Sequence, residues 1–222
     1  MDLAILCITK VEQHALPFLA EMQSVSRLLD AEFVIAADGD YAFVRAENQF
    51  AWARVVQVES KGYLESVHDE AIDHCRARMV LRLDDDERCS PAMVRWLRSR
   101  DYRLHDHWKF ARAAMWTRET FISSPQLWPD HQTRLSSKEK AKGRNSLHAA
   151  SPHGGGFCAP VAIEHHKFIV KTMQQRQAIA DNYDRIWAGA GSNGMLAFQL
   201  PELAYGEHMP LAAWNDGTVI YE

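Results

Sequence analysis

Apolar positions in the first hundred residues follow two rhythms in turn. Residues 3–8 form an unbroken apolar run, as expected for a strand covered on both faces of a parallel sheet. From Ala15 onward, Phe18, Leu19, Met22, Val25 and Leu29 recur at helical spacing, with Pro17 in the first turn, where its missing N–H does no harm. Residues 32–37 predict a second buried strand that stops at the turn sequence Asp38-Gly39-Asp40, and Val55, Val56 and Val58 sketch a third. Lys61-Gly62 opens a second helix through Leu64, Val67, Ala71, Ile72 and Cys75, followed by a strand over 79–83. Ser90-Pro91 then supplies a cap and a first-turn proline for a third helix carrying Val94 and Leu97. Such alternation of strand and helix predicts an α/β fold.

After residue 100 the alternation lapses. Residues 107–113 alternate as a strand, an irregular stretch rich in Trp, Pro and Ser follows, and Lys138, Lys140, Lys142 and Arg144 make a basic segment. Residues 151–156 read as a flexible loop, 161–165 as a strand, and 170–187 as a helix through Met173, Gln177, Ala180 and Tyr183. The 222 residues suffice for one well-buried core, so a single domain over 1–222 is expected, with halves of about 1–100 and 101–222. A net charge of −4 gives no general attraction to nucleic acid or anionic lipid, so a nucleic-acid partner is disfavoured. Cys7, Cys75, Cys89 and Cys158 lack CxxC spacing and fit reduced thiols. The first residues lack the basic lead of a signal peptide, and no apolar run approaches the ~20 residues of a membrane span. A cytoplasmic location is expected, with attachment to the inner face of the membrane as the variant left open.

The chemistry concentrates where the fourth strand ends, in Leu83-Asp84-Asp85-Asp86-Glu87. Four consecutive carboxylates repel one another, and a divalent cation held by two of them relieves the repulsion. Hard oxygen ligands at a strand's carboxyl end suit Mg²⁺ or Mn²⁺, and the plainer reading is a solvated acidic turn. Two other strand ends carry polar groups: Thr9 and Glu12 after the first, Asp38 and Asp40 after the second. Their shared edge is where open α/β sheets bind ligands. No GxGxxG or GxxxxGK[ST] follows any strand, which removes the main support for dinucleotide or P-loop binding.

In this order, Ile8-Thr9-Lys10-Val11-Glu12, Asp38-Gly39-Asp40, Gly62 before a helix, and the acidic run resemble the nucleotide-binding half of family 2 glycosyltransferases with the GT-A fold. Trp128-Pro129-Asp130-His131-Gln132 with Arg134-Leu135 is similar to their acceptor segment, and Ile163-Glu164-His165-His166-Lys167 to their late histidine motif. The resemblance implies a mostly parallel, twisted sheet flanked by helices and metal-dependent, inverting transfer from a nucleotide-sugar, a UDP-sugar by analogy. The acceptor would be a glycan, a glycolipid or another hydroxyl-bearing molecule. It implies that Thr9, Glu12, Asp38, Asp40, Gly62, Asp84 and Asp85 bind the nucleotide-sugar. Asp84 and Asp86, with His165, would hold Mn²⁺ or Mg²⁺, and Asp130 would be the general base. His148 and His153 are further histidines that the same reading brings near the metal. Trp116 and Trp128 are candidates for a sugar-stacking platform. Two alternatives stay open: nucleotidyl transfer on a similar sheet, and an inactive relative that only binds nucleotide-sugar or glycan. The HxH of His105-Asp106-His107 is read as strand alternation, not a metal site.

Overall fold

The structure is a computed structural model and describes residues 1–143, 156–189 and 196–220. Arg144, His148, His153 and residues 151–155 of the proposed loop lie outside the described residues. The first half runs β1 (Leu3–Thr9), α1 (Leu16–Leu29), β2 (Glu32–Asp38), α2 (Asp40–Gln49), β3 (Arg54–Val58), α3 (His68–Asp73), β4 (Met79–Arg82), β5 (Glu87–Cys89) and α4 (Pro91–Ser99). The second half adds β6 (His107–Ala114), β7 (Thr120–Ile122), β8 (Asp130–Ser137), α5 (Lys138–Ala141), β9 (Phe157–His165), α6 (Lys167–Val170), α7 (Met173–Ile186) and, near the end, β10 (Leu211–Ala213).

Eight strands make one sheet in the order β3-β2-β1-β4-β8-β6-β9-β5, so strands from both halves share a single hydrogen-bonded surface. The pairings β1 with β2, β2 with β3, β1 with β4 and β6 with β9 are parallel. Those of β4 with β8, β6 with β8 and β5 with β9 are antiparallel. The fold is thus the expected mostly parallel α/β sheet flanked by helices. From β1 the chain steps outward through β2 and β3, then returns to lay β4 on the other side of β1. That reversal makes the carboxyl ends of β1 and β4 a topological switch point, the edge at which open α/β sheets bind ligands.

Every residue of β1 is buried, as its continuous apolar run requires, and α1 and α4 pack Phe18, Leu19, Met22, Met93 and Leu97 into the main core with Ile5, Leu81 and Phe110. Among the described residues, no helix is long and apolar enough to cross a membrane. Ser90 caps α4 as its sequence predicts, its Oγ accepting from Met93 N at 3.1 Å. The second strand stops at Asp38-Gly39-Asp40 as expected, and the turn leads into a helix, α2, with Gly39 at φ 93°. Several other local expectations needed correction. The long helix over 170–187 breaks before Met173. There Thr172 Oγ1 accepts from Gln175 N while Gln175 Oε1 accepts from Thr172 N, a reciprocal cap that starts α7 afresh. The stretch from Gly62 forms a 3₁₀ turn over Leu64–Val67 and only then a short α-helix, α3. Finally, β8 reads Asp-His-Gln-Thr-Arg-Leu-Ser-Ser, too polar to signal a central strand, yet its last five residues are buried.

Candidate active site

The switch point is closed by side chains that meet across it. Thr9, the last residue of β1, is buried and donates its hydroxyl to Asp85 Oδ2 at 2.7 Å, while the same oxygen accepts Val11 N–H at 3.0 Å. Val11 holds φ at 53°, an unfavourable conformation for a β-branched residue, and its carbonyl is pinned by Arg45 Nη1 at 2.9 Å. Its neighbour His14 lies between Asp85 Oδ1 at 3.3 Å and Glu12 Oε2 at 3.4 Å. The loop after β1 is therefore tied to the acidic turn after β4. Thr9→Val keeps the shape but leaves the Val11 N–H without its acceptor. A loss of about 1–3 kcal/mol in unfolding free energy is expected in a urea titration, and stability equal to wild type would show that the tether is idle.

The acidic turn is neutralised from elsewhere in the chain. Arg134, from β8, has 2% of its side chain exposed and bridges Asp84 and the fully buried Glu87, the latter at 2.6 Å. Arg112, from β6, sits between Glu87 at 3.3 Å and Asp130 Oδ2, which its Nε reaches at 2.9 Å. Lys171, at the end of α6, ion-pairs with Asp86 and lies 3.6 Å from Asp85 Oδ1. The turn also folds on itself, with Asp84 N–H donating to Glu87 Oε2 at 3.0 Å and Glu87 N–H to the Asp84 carbonyl at 2.9 Å. Arg88 supports the backbone beneath, donating to the carbonyls of Asp85 and Glu87 while stacking on Phe18.

These contacts set the protonation states. Burial alone would raise the Asp86 carboxyl, but Lys171 and His165 outweigh it and hold the group well below the ordinary carboxylate range. Burial, reinforced by the Arg112 charge, pushes His165 down to about 4 against the pull of Asp86, so its ring is neutral at physiological pH. Burial raises the Asp84 carboxyl despite Arg82. Asp84 is closely surrounded by protein, yet 44% of its side chain stays open to water. Burial also lowers the Lys167 ammonium to about 7, and its Nζ donates to the Phe198 carbonyl at 3.0 Å.

Most of the other expected residues have definite positions. Asp38 ends β2 and spends both oxygens on the loop after β3, accepting Ser60 N–H and Ser60 Oγ–H at 2.7 Å each. Asp40 begins α2 at the exposed rim and takes a bond from Gln57 at 2.6 Å. Gly62 is exposed at a bend, not at a helix start, and its carbonyl accepts from Asn182 of α7. Asp130 opens β8 and accepts from Arg112 at Oδ2 and from Gln132 Nε2 at Oδ1, 2.7 Å. Trp128 packs edge-on against Phe121 and Trp214, whose indole N–H donates to Glu164 at 2.9 Å, and Trp116 lies against Phe168. Lys138 and Lys142 are engaged by carbonyls and the carboxylate at Asp73 and Cys75, tying α5 to the end of α3. His105 stacks on Phe157.

The donor set expected for a metal, Asp84, Asp86 and His165, does not assemble around one point. His165 Nε2 lies 3.4 Å from Asp86 Oδ1, but Asp84 is drawn to Arg134 and Asp86 to Lys171. Among the described residues no group of three His, Cys, Asp or Glu side chains is disposed to hold an ion. As they stand, these residues do not fit a divalent cation, because Asp84 is already engaged by a guanidinium and Asp86 by an ammonium group.

No protein-family model matches the sequence, and no curated protein matches it. Solved structures do match. Rv0371C from Mycobacterium tuberculosis H37Rv, determined as a complex with manganese, superposes with a TM-score of 0.51 at 14% identity, over 81% of this chain and 97% of that one. The fold is shared with Rv0371C. Residues 1–349 of TarS from S. aureus align with a TM-score of 0.45 at 12% identity, over 93% of this chain and 75% of theirs. HddC from Yersinia pseudotuberculosis aligns at 0.45 and 11% identity, over 71% of this chain and 89% of its own.

Proposed function

We propose that this protein transfers a sugar from a nucleotide-sugar, a UDP-sugar first among the candidates, to an acceptor hydroxyl with inversion at the anomeric carbon. The observation that carries the reading is the bridge from Thr9 to Asp85, which brings the ends of β1 and β4 together at the switch point of an α/β sheet. Glu12, on the loop after β1, and Asp40, at the start of α2, are the acceptors proposed for a base or ribose. Lys171, Arg134 and Arg112, which engage the acidic turn and Asp130, are the cations proposed to meet the charge of a departing diphosphate. The likeness to Rv0371C supports the fold on which such a site is built.

In the proposed reaction the acceptor oxygen bonds to the anomeric carbon as the bond from that carbon to the diphosphate oxygen breaks. The hydroxyl proton passes to a carboxylate, and Asp130 is the base proposed. It accepts bonds from Arg112 and Gln132, yet a carboxylate has about four acceptor directions, so one is left for a substrate hydroxyl. Arg112 fixes its direction and links it through Glu87 to the acidic turn. Trp128 stands two positions before Asp130 and packs edge-on against Trp214, and its indole is the platform proposed for the apolar face of a pyranose. No step is routed through a metal. A glycan or glycolipid hydroxyl is the proposed acceptor.

The deciding experiment is a nucleotide-sugar panel read out by released nucleoside diphosphate, with and without added Mn²⁺ or Mg²⁺. Release of diphosphate from one donor supports sugar transfer. Pyrophosphate released from a nucleoside triphosphate and a sugar phosphate would replace the reading with nucleotidyl transfer, and binding without turnover would reduce it to a nucleotide-sugar-binding protein.

A further inference from the structure

Five carboxylates converge on the turn after β4, namely Asp84, Asp85, Asp86, Glu87 and Asp130. Three cations from the second half of the chain meet them, and each lies between two. Arg134 bridges Asp84 and Glu87, Arg112 bridges Glu87 and Asp130, and Lys171 lies against Asp85 and Asp86. Every one of the five acids thus has a cationic neighbour. Two histidines complete the ring, His14 at Asp85 and His165 at Asp86. The repulsion that would recruit a divalent ion to four adjacent carboxylates is thus answered in large part within the chain, by three cations set among the five acids.

Lys171 holds the place that matters most. Its side chain is only 11% exposed and that of Asp86 only 8%, so the pair is shielded from solvent screening and water is a poor substitute for either partner. A divalent ion on Asp86 would have to displace a buried ammonium and leave it only the longer contact with Asp85, at 3.6 Å. Lys171 donates to Asp86 and has Asp85 Oδ1 at 3.6 Å. An ammonium carries three donors, and two carboxylates in contact leave one direction for a third anionic oxygen.

We infer that the Lys171 ammonium, and not a divalent metal ion, is the resident counter-charge of the Asp85–Asp86 turn and the group that meets the diphosphate of a bound nucleotide. The inference rests on the nucleotide-sugar reading above and names how that site handles charge. Its mechanistic content is simple: when the bond to the anomeric carbon breaks, the negative charge that appears on the leaving oxygen is balanced by an ammonium already in place.

The test is equilibrium binding of UDP, with ADP, GDP and CDP in the same panel, by calorimetry in EDTA and again in millimolar Mn²⁺. It is run on the full chain as wild type, Lys171→Met and Lys171→Arg. The expected result is a wild-type Kd for the preferred nucleotide that agrees within about twofold between the two buffers. Lys171→Met should weaken binding in EDTA by tenfold or more, and Lys171→Arg, which keeps the charge, should recover most of that loss. Wild-type binding that appears only with Mn²⁺, or that tightens more than tenfold on adding it, overturns the inference and leaves the nucleotide-sugar reading standing. So does Lys171→Met binding as tightly as wild type in EDTA. No binding of any nucleoside diphosphate in either buffer overturns the nucleotide-sugar reading, and the inference with it. Should Lys171→Met fail to fold, the buffer comparison on wild type and Lys171→Arg still decides.

Discussion

Arg134→Met is expected to lower the unfolding free energy by about 3 kcal/mol, one of the largest effects available to a single substitution in this chain. Methionine fills much of the arginine's volume, so the loss comes from charge and not from a cavity. Glu87 has no exposed side-chain surface, and without Arg134 its one remaining cationic partner among the described residues is Arg112, at 3.3 Å, beside the Asp84 N–H at 3.0 Å. Removing one partner of a buried ion pair typically costs about 3–5 kcal/mol, because the remaining charge is stranded out of water. The surviving Arg112 contact places this case at the lower end. Asp84 contributes less to the penalty, since 44% of its side chain is open to solvent and can rehydrate. For a chain of this size, 3 kcal/mol corresponds to a fall in melting temperature of roughly 6–12 °C. The double variant Arg134→Met, Glu87→Leu removes both ends of the buried pair and should recover most of the loss, as paired buried charges often can be replaced by apolar groups. Urea titrations of wild type, single and double variants measure this directly. A single variant within 1 kcal/mol of wild type would show that the acids on β5 and the turn are stable without their guanidinium.

Asp130→Asn is expected to slow turnover by about 10²- to 10⁴-fold, roughly 2.7–5.5 kcal/mol of barrier, while the donor Kd stays within twofold of wild type. The substitution is nearly isosteric. Asparagine can turn its carbonyl oxygen toward Arg112 and its amide toward a flipped Gln132, so the local network survives while the proton acceptor is lost. A structural role alone would show as lowered stability and weakened binding together, whereas a base shows as loss of kcat with binding spared. Turnover at the wild-type rate would remove Asp130 from the mechanism and send the search toward Glu164 and His166, which hydrogen-bond each other at 2.9 Å nearby.

How much of this was legible in the chain differs between its halves. The strands β1, β2 and β4 and helices α1 and α4 announce themselves because each buries a continuous or 3.6-spaced apolar set, and burial of that kind leaves a periodic trace. Strand β8 leaves none. Its Asp130 and Arg134 are polar because they answer charges on β6, on β5 and in the acidic turn, and Gln132 because it supports Asp130, so the strand is stabilised by pairing between β4 and β6 and not by its own apolar content. The same reason explains what the acidic run conceals. Four adjacent carboxylates are visible as letters, but Arg134, Lys171 and His14 reach them from 50, 85 and 71 positions away, and no local spacing records such a meeting. A metal was the natural expectation from the acids alone. Asp38 and Gly62 illustrate a milder limit, since a turn residue that binds its own neighbouring loop has the same letters as one that binds a ligand.

The single sheet has one more consequence, and it concerns synthesis. A nascent chain that has emerged as far as residue 120 carries all four acids of the turn but neither Arg134 nor Lys171, and it lacks β8, the neighbour that flanks β4 in the finished sheet. The amino-terminal half must therefore wait on the ribosome with Asp84 and Asp86 lacking the cations that meet them in the finished fold. Fragments split between residues 100 and 130 should come together far more readily than either settles alone, which makes this boundary a natural place to cut the protein for a two-piece reporter.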